Sequence, residues 1–274
     1  METYAKIARL KDESYREVLG VTKKVFDKML ELLVCQFMKD HKNGGSPNQV
    51  SVLTRLVIFL EYYREYRTMR NIAFDYMLSK SSVCNYIHWV EETLIKSEVF
   101  HLPSRKELYE NEELEIAIAD ATEVAVERPK HGQKKYYSGK KKRHTIKLQI
   151  IINALTKAII CINVCSGSVH DFKLLKLSKY KFHGRLKILA DSGYQGIKKL
   201  HSNSETPIKA SKNHKLTPEE KAYNRNLSRQ RIVIENVNAV IKSFKILGTR
   251  YRNKGTRFKL RASLICGICN LMLS

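Results

Sequence analysis

The hydrophobic pattern of the chain changes period near residue 115. Before that point apolar residues recur at helical spacing: from Thr22 to Met38, Val25, Met29, Leu32, Leu33 and Phe37 fall on one face. The segment HKNGGSPNQ, His41 to Gln49, interrupts this with two glycines and a proline. Helical spacing resumes at Val52 and runs to about Ser97, where LPSRKE closes the half. Beyond it, IAIADATEVAV (Ile116 to Val126) alternates at period two. Ile116, Ile118, Asp120, Thr122 and Val124 share one face, and Ala117, Ala119, Ala121 and Glu123 the other. Both faces are apolar, as in a strand covered on both sides.

After a basic segment, KKYYSGKKKRHT, come two further apolar runs, IKLQIIIN and AIICINVC. SVHDFKLLKLSKY predicts a short helix, LKILADSGYQG a strand and turn, and TPIKAS a further strand. TPEEKAYNRNLSRQRIVIENVNAVIKSFKIL predicts a long helical stretch divided into two helices, and RASLICGICNLML a terminal one. This order predicts an α/β fold, a mixed sheet with flanking helices, preceded by an all-α part. The expected division is a helical domain over 1–110 and the α/β domain over 111–274.

Charge follows the same division. Residues 1–115 hold 17 Lys and Arg against 18 Asp and Glu, whereas residues 116–274 hold 33 against 9. Plain solubility would not segregate charge in this way, so the second half is expected to meet a polyanion, above all nucleic acid. The longest apolar run, Val52 to Leu60, is broken by Thr54 and Arg55, which predicts no membrane span. The N-terminus lacks the unbroken apolar stretch of a signal peptide, and six cysteines suit reduced thiols. A cytoplasmic protein, associated with the nucleoid when on DNA, is expected.

Against that basic background a few carboxylates stand out. Asp120 sits among isoleucines, where burial is costly unless something pairs with it. Asp191 ends LKILAD, at the C-terminal strand edge where open α/β sheets bind ligands. Glu235 borders a helical stripe of Ile234, Val237, Ile241 and Phe244. If the three converge, they suit magnesium, which takes oxygen ligands, and two such ions can clamp an in-line phosphoryl displacement. Spacing alone leaves open that Asp120 caps backbone or pairs with an arginine. Of the competing acids, Asp171 fits a capping box begun by Ser168, and Glu123 lies on the opposite face from Asp120.

DATE, ERPK, YYSGKKKRHTIKLQ, GSVHD, ADSGYQG and the R…E of the late helix, in this order, resemble the DDE transposases of bacterial insertion sequences. The nearest branch is the fifth insertion-sequence family with its Harbinger-like relatives, and the resemblance runs from about Phe26 to the last helix. It implies a ribonuclease H-like catalytic domain with Asp120, Asp191 and Glu235 as catalytic residues and as ligands of two Mg2+ ions, or Mn2+. A Tyr, Arg, Glu, Lys signature of related enzymes is kept by Arg231, Glu235 and Lys242, but Ser228 stands at the tyrosine position. Arg231 and Lys242 are thereby expected to contact DNA phosphate.

RNIAFDYMLSKSSVCNYIHWV, within about 69–90, has the pattern of a helix-turn-helix. Ala73, Met77 and Val83 occupy its small, turn and buried aliphatic positions, with Met77 where glycine is usual. Ser79 is a natural N-cap for a second helix that would offer Ser81, Ser82, Asn85 and Tyr86 to a major groove. A plain helical bundle is the competing reading. In the other half Lys140, Lys141, Lys142 and Arg143 are expected to project from a hairpin-like turn and grip a DNA backbone, with Tyr136 and Tyr137 interleaved. A merely solvated loop is the alternative there. Lys209 to Arg231 adds seven basic residues. A zinc site would require Cys266 and Cys269 to meet Cys161 and Cys165, and the resemblance implies none.

The expected function is a transposase that binds the inverted ends of its own element in double-stranded DNA, cuts them and joins the freed 3′ hydroxyls to target DNA. Two ends must be processed together, so a homodimer or larger assembly on DNA is expected, with no membrane partner. The alternative is a catalytically silent or purely hydrolytic DNA-binding protein derived from such an enzyme.

Overall fold

The computed structural model describes residues 5, 7–42, 44, 50–211, 214–253 and 255–273. Most of the expected interruption at His41–Gln49 lies outside the described residues, as does Lys212. The chain forms two compact units that are discontinuous in sequence. The first comprises 1–101 with 241–249 and 260–274, and the second 102–240 with 250–259. The C-terminal helix, grouped with 111–274 by order along the chain, thus belongs to the first unit by packing.

In the first unit α1 (Asp12–Leu19), α2 (Lys23–Asp40), α3 (Val52–Arg64), α4 (Met69–Asp75) and α5 (Lys80–Lys96) are joined by the terminal helix α11 (Phe258–Leu273). The helices begin where the sequence offers an oxygen. Thr22, Ser51, Thr68 and Ser79 each accept a hydrogen bond from the backbone N–H three residues on. Leu33, Leu56, Ile58, Phe59, Ile87, Leu94, Leu264 and Ile265 are fully buried. Each such side chain contributes roughly 1.5–3 kcal/mol relative to leaving it in water. Inside this core Arg261 Nε lies 2.7 Å from Glu91 Oε1, and the Tyr63 hydroxyl donates to the same oxygen at 3.0 Å. Gly267 of α11 lies against the carbonyl of Phe100, where a Cβ would stand 2.1 Å from that oxygen.

The second unit is built on a mixed sheet. β1 (Ile116–Ala125) pairs antiparallel with β3 (Arg143–Asn153), and β3 with β4 (Ile159–Ser166). On its other side β1 runs parallel to β5 (Lys187–Ala190), which pairs in parallel with β6 (Ser204–Glu205). The order β4-β3-β1-β5-β6 therefore has three antiparallel strands followed by two parallel ones, the expected ribonuclease H-like arrangement. Short α6 (Glu107–Glu110) precedes β1, and short α7 (Gln133–Tyr136) leads into β2 (Tyr137–Ser138), which pairs with the start of β3. The Ala117/Ala119 face of β1 packs with Ile151, Leu175 of α8 (Asp171–Ser178), Ile188 and Tyr194.

Three local expectations are corrected. TPIKAS is not a strand: the ladder is confined to Ser204 and Glu205 just before it, Ser211 makes only an isolated bridge with His214, and Pro207 has no N–H to extend a ladder. The stretch from Thr217 forms one 26-residue helix, α9 (Pro218–Ser243), followed only by the single turn α10 (Lys245–Gly248). Its start carries the reciprocal capping box, with Glu220 N–H donating to Thr217 Oγ1 and Thr217 N–H to Glu220 Oε2, and no glycine or proline interrupts it. Finally, Ser168 does not cap α8, whose N-cap is His170 with no side-chain bond, leaving Asp171 free for another role.

Candidate active site

Asp120 and Asp191 are brought together by strand register. The parallel alignment of β1 with β5 ends at Ala119 opposite Ala190, so the next residues along each chain are the two aspartates. In a parallel pair, residues in register point to the same face. Asp191 then turns the chain, accepting a hydrogen bond from Gly193 N–H at 2.8 Å. Gly193 is required by crowding: a Cβ there would lie 2.4 Å from Asp171 Oδ2 and 3.0 Å from Asp191 Oδ1.

α9 crosses the same carboxylate. Arg231 Nη2 approaches Asp120 Oδ1 at 3.9 Å, and Asn238 Nδ2 donates to Asp120 Oδ2 at 2.9 Å. Burial pushes the Asp120 carboxyl above the usual carboxylate range, the charge of Asp191 pushes it further, and Arg231 opposes both. Glu235 is exposed, on the face that carries Arg231 and Asn238, one helical turn from each. Lys242 is also exposed, in the end of α9 that belongs to the first unit.

Asp171 and Glu123, which the sequence set aside, share a buried lysine. Lys147 Nζ lies 2.7 Å from Asp171 Oδ1 and 4.0 Å from Glu123 Oε1, and donates to the Val169 carbonyl at 2.6 Å. Thr145 Oγ1 donates to Glu123 at 2.8 Å. Asp171 therefore stands near Asp191 with its charge partly offset by the lysine that it shares with Glu123. Asn238 was not picked out from sequence. Its signal is a polar residue seven positions from Arg231, set between Val237 and Ile241 of the apolar stripe.

Among the described residues no three His, Cys, Asp or Glu side chains gather so as to hold a metal ion. Asp120 and Asp191 alone fit a divalent cation, being adjacent oxygen donors whose mutual repulsion a cation would relieve. The buried carbonyl Oδ1 of Asn238 and the buried Nε of Arg231, both without a hydrogen-bond partner, flank the same place.

The remaining predicted residues lie in the elements expected. Lys140, Lys141 and Lys142 form the exposed turn between β2 and β3, and exposed Arg143 opens β3. In the first unit Ala73 and Val83 are buried, and Met77 holds the left-handed φ of 51°. Ser81 and Asn85 are exposed on α5. Ser82 shares a hydrogen bond with Ser79 at 2.9 Å, and the Tyr86 ring lies under the guanidinium of Arg55, 4.8 Å away.

Residues 119–270 match the family model described as a DDE superfamily endonuclease, and residues 48–97 that described as its helix-turn-helix. The chain belongs to the DDE transposase family. A curated relative described as a probable transposase for insertion sequence element IS702, from Microchaete diplosiphon, is 43% identical over 270 residues, 98% of this chain and 98% of that one. This transposase accordingly pairs a helix-turn-helix DNA-binding part with an endonuclease part of a kind that uses divalent metal ions. No helix among its described residues is long and apolar enough to cross a membrane.

Proposed function

We propose that this transposase binds the terminal inverted repeats of its own insertion sequence, cuts them and joins them to target DNA, acting in the cytoplasm on nucleoid DNA as a homodimer or larger assembly. Functionally the chain divides into end recognition over 1–110 and catalysis over 111–274. Asp120, Asp191 and Glu235 are the catalytic carboxylates, with Mg2+ or Mn2+ as cofactor and two ions in the complete complex. The observation that supports this reading is the clasp of α9 on Asp120 by Arg231 and Asn238, the residues one helical turn before and after Glu235.

The cations would stabilise charge on the attacking and leaving oxygens of an in-line displacement. The protein's own share is positioning. β1 carries Asp120 and the end of β5 delivers Asp191 beside it, and Arg231 is a cation near Asp120 able to turn toward a phosphate oxygen. Lys140, Lys141, Lys142 and Arg143 hold the flanking backbone, and Lys242 takes a further phosphate. On α5, Ser81, Ser82 and Asn85 are directed at base edges, with Tyr86 steadied by Arg55. The test is incubation with DNA carrying the flanking element ends and Mg2+. Nicked ends and joined products are expected. Nicks without joining would reduce the enzyme to a hydrolase, and bound but intact ends would make it a silent DNA-binding derivative.

A further inference from the structure

Asn238 is 8% exposed, yet only half of its amide is used. The Nδ2 group donates to Asp120 Oδ2 at 2.9 Å, while Oδ1 is buried without a hydrogen-bond partner. A buried amide oxygen left unpaired is costly, so its position beside a carboxylate calls for a ligand. The nearby groups narrow the choice. Asp120 and Asp191 are anionic, Arg231 lies 3.9 Å from Asp120, and Asp171 and Glu123 share the single charge of Lys147, so carboxylates remain in excess. An unpaired oxygen can accept from a donor or bind a cation, and the excess of carboxylates around it favours the cation. Side chains of an α-helix lean toward its N-terminus, so Asn238 leans over the turn that carries Glu235. Amide carbonyls are ordinary ligands of hard divalent cations.

We propose that Asn238 is a further ligand of the divalent cation of this site. Its Oδ1 binds the ion beside Asp120 and Asp191, while its Nδ2 holds the Asp120 carboxylate. The inference rests on the catalytic reading above. It adds an oxygen donor in the setting where, among the described residues, no three acidic, imidazole or thiol side chains gather to hold an ion. One side chain would thus both bind the ion and aim its principal ligand, and it would tie the register of α9 to occupancy of the site.

The test is Mn2+ binding by the full chain without DNA, measured by titration calorimetry and by the loss of free Mn2+ in electron paramagnetic resonance. Asn238→Asp keeps an oxygen and loses the N–H donor, whereas Asn238→Leu loses both at similar volume. Asn238→Asp should bind Mn2+ at least as tightly as the wild type, and Asn238→Leu about tenfold or more weakly. Weakening by both variants would make Asn238 only a support for Asp120, and unchanged binding in both would remove it from the site; either result overturns the proposal. If Asn238→Leu does not fold by circular dichroism, Asn238→Ala takes its place: it too lacks the amide oxygen and should bind Mn2+ about tenfold more weakly, and wild-type affinity in it overturns the proposal. Asp120→Ala and Asp191→Ala report on the underlying reading: if they bind Mn2+ normally, the whole site is misplaced, independently of Asn238.

Discussion

Met77 occupies a backbone conformation that L side chains rarely adopt, with φ 51°, and is 93% exposed. Glycine is usual at this turn because it lacks the Cβ that crowds the backbone there. Met77→Gly removes little packing and should stabilise the protein by about 1 kcal/mol, read as a higher denaturation midpoint. A lower midpoint would mean that the loss of unfolded-state entropy with methionine outweighs the strain. Asp120 gives the second prediction at this scale. Burial and the neighbouring Asp191 raise its carboxyl, so the folded chain holds that proton more tightly than the unfolded one. Stability from protonated Asp120 is complete below the ordinary carboxylate range and is lost as pH rises through the raised folded value. At neutral pH the ionised group therefore opposes folding. Asp120→Asn, which resembles the protonated form, should melt above wild type at pH 7 in a chelator, and the gap should close as the pH is lowered. A variant melting below wild type at pH 7 would show that the attraction of Arg231 dominates instead.

At the scale of elements, period and capping residues carry most of the fold. The double-sided apolar pattern of Ile116–Ala125 is a strand buried on both faces, and Ser79 caps α5 as its position suggests. What was illegible depended on partners distant in sequence. Only strand register sets Asp191 next to Asp120, and only the crossing of α9 selects Asn238. Asp171 was read as a local cap because a capping box is visible in sequence, whereas a buried lysine 24 positions earlier is not. The basic turn before β3 was legible from its run of lysines, but the helical turn α7 and the two-residue β2 ahead of it were not. Replacing Lys140, Lys141 and Lys142 together by Ala should weaken binding to all DNA sequences. The slope of log affinity against log salt should fall by up to about three. An unchanged slope would make the turn a solvated loop.

Over the whole molecule, recognition and electrostatics are carried by different parts. Residues 1–115 hold 17 basic and 18 acidic side chains, so this part does not attract DNA by net charge and must read bases or shape. Asn85→Ala, at an exposed position of α5, should cost roughly 1–3 kcal/mol of preference for element ends over random DNA while cleavage of bound ends continues. Unaltered preference in a competition assay would assign α5 to packing alone. If Asp120, Asp191 and Glu235 act as one centre, Glu235 is the hardest member to account for, because it stands exposed. The decisive measurement is Mg2+-dependent cleavage of element ends by Asp120→Ala, Asp191→Ala and Glu235→Ala, with end binding followed by gel shift in parallel. All three should bind ends and none should cut; substantial cleavage by Glu235→Ala would contradict the shared centre.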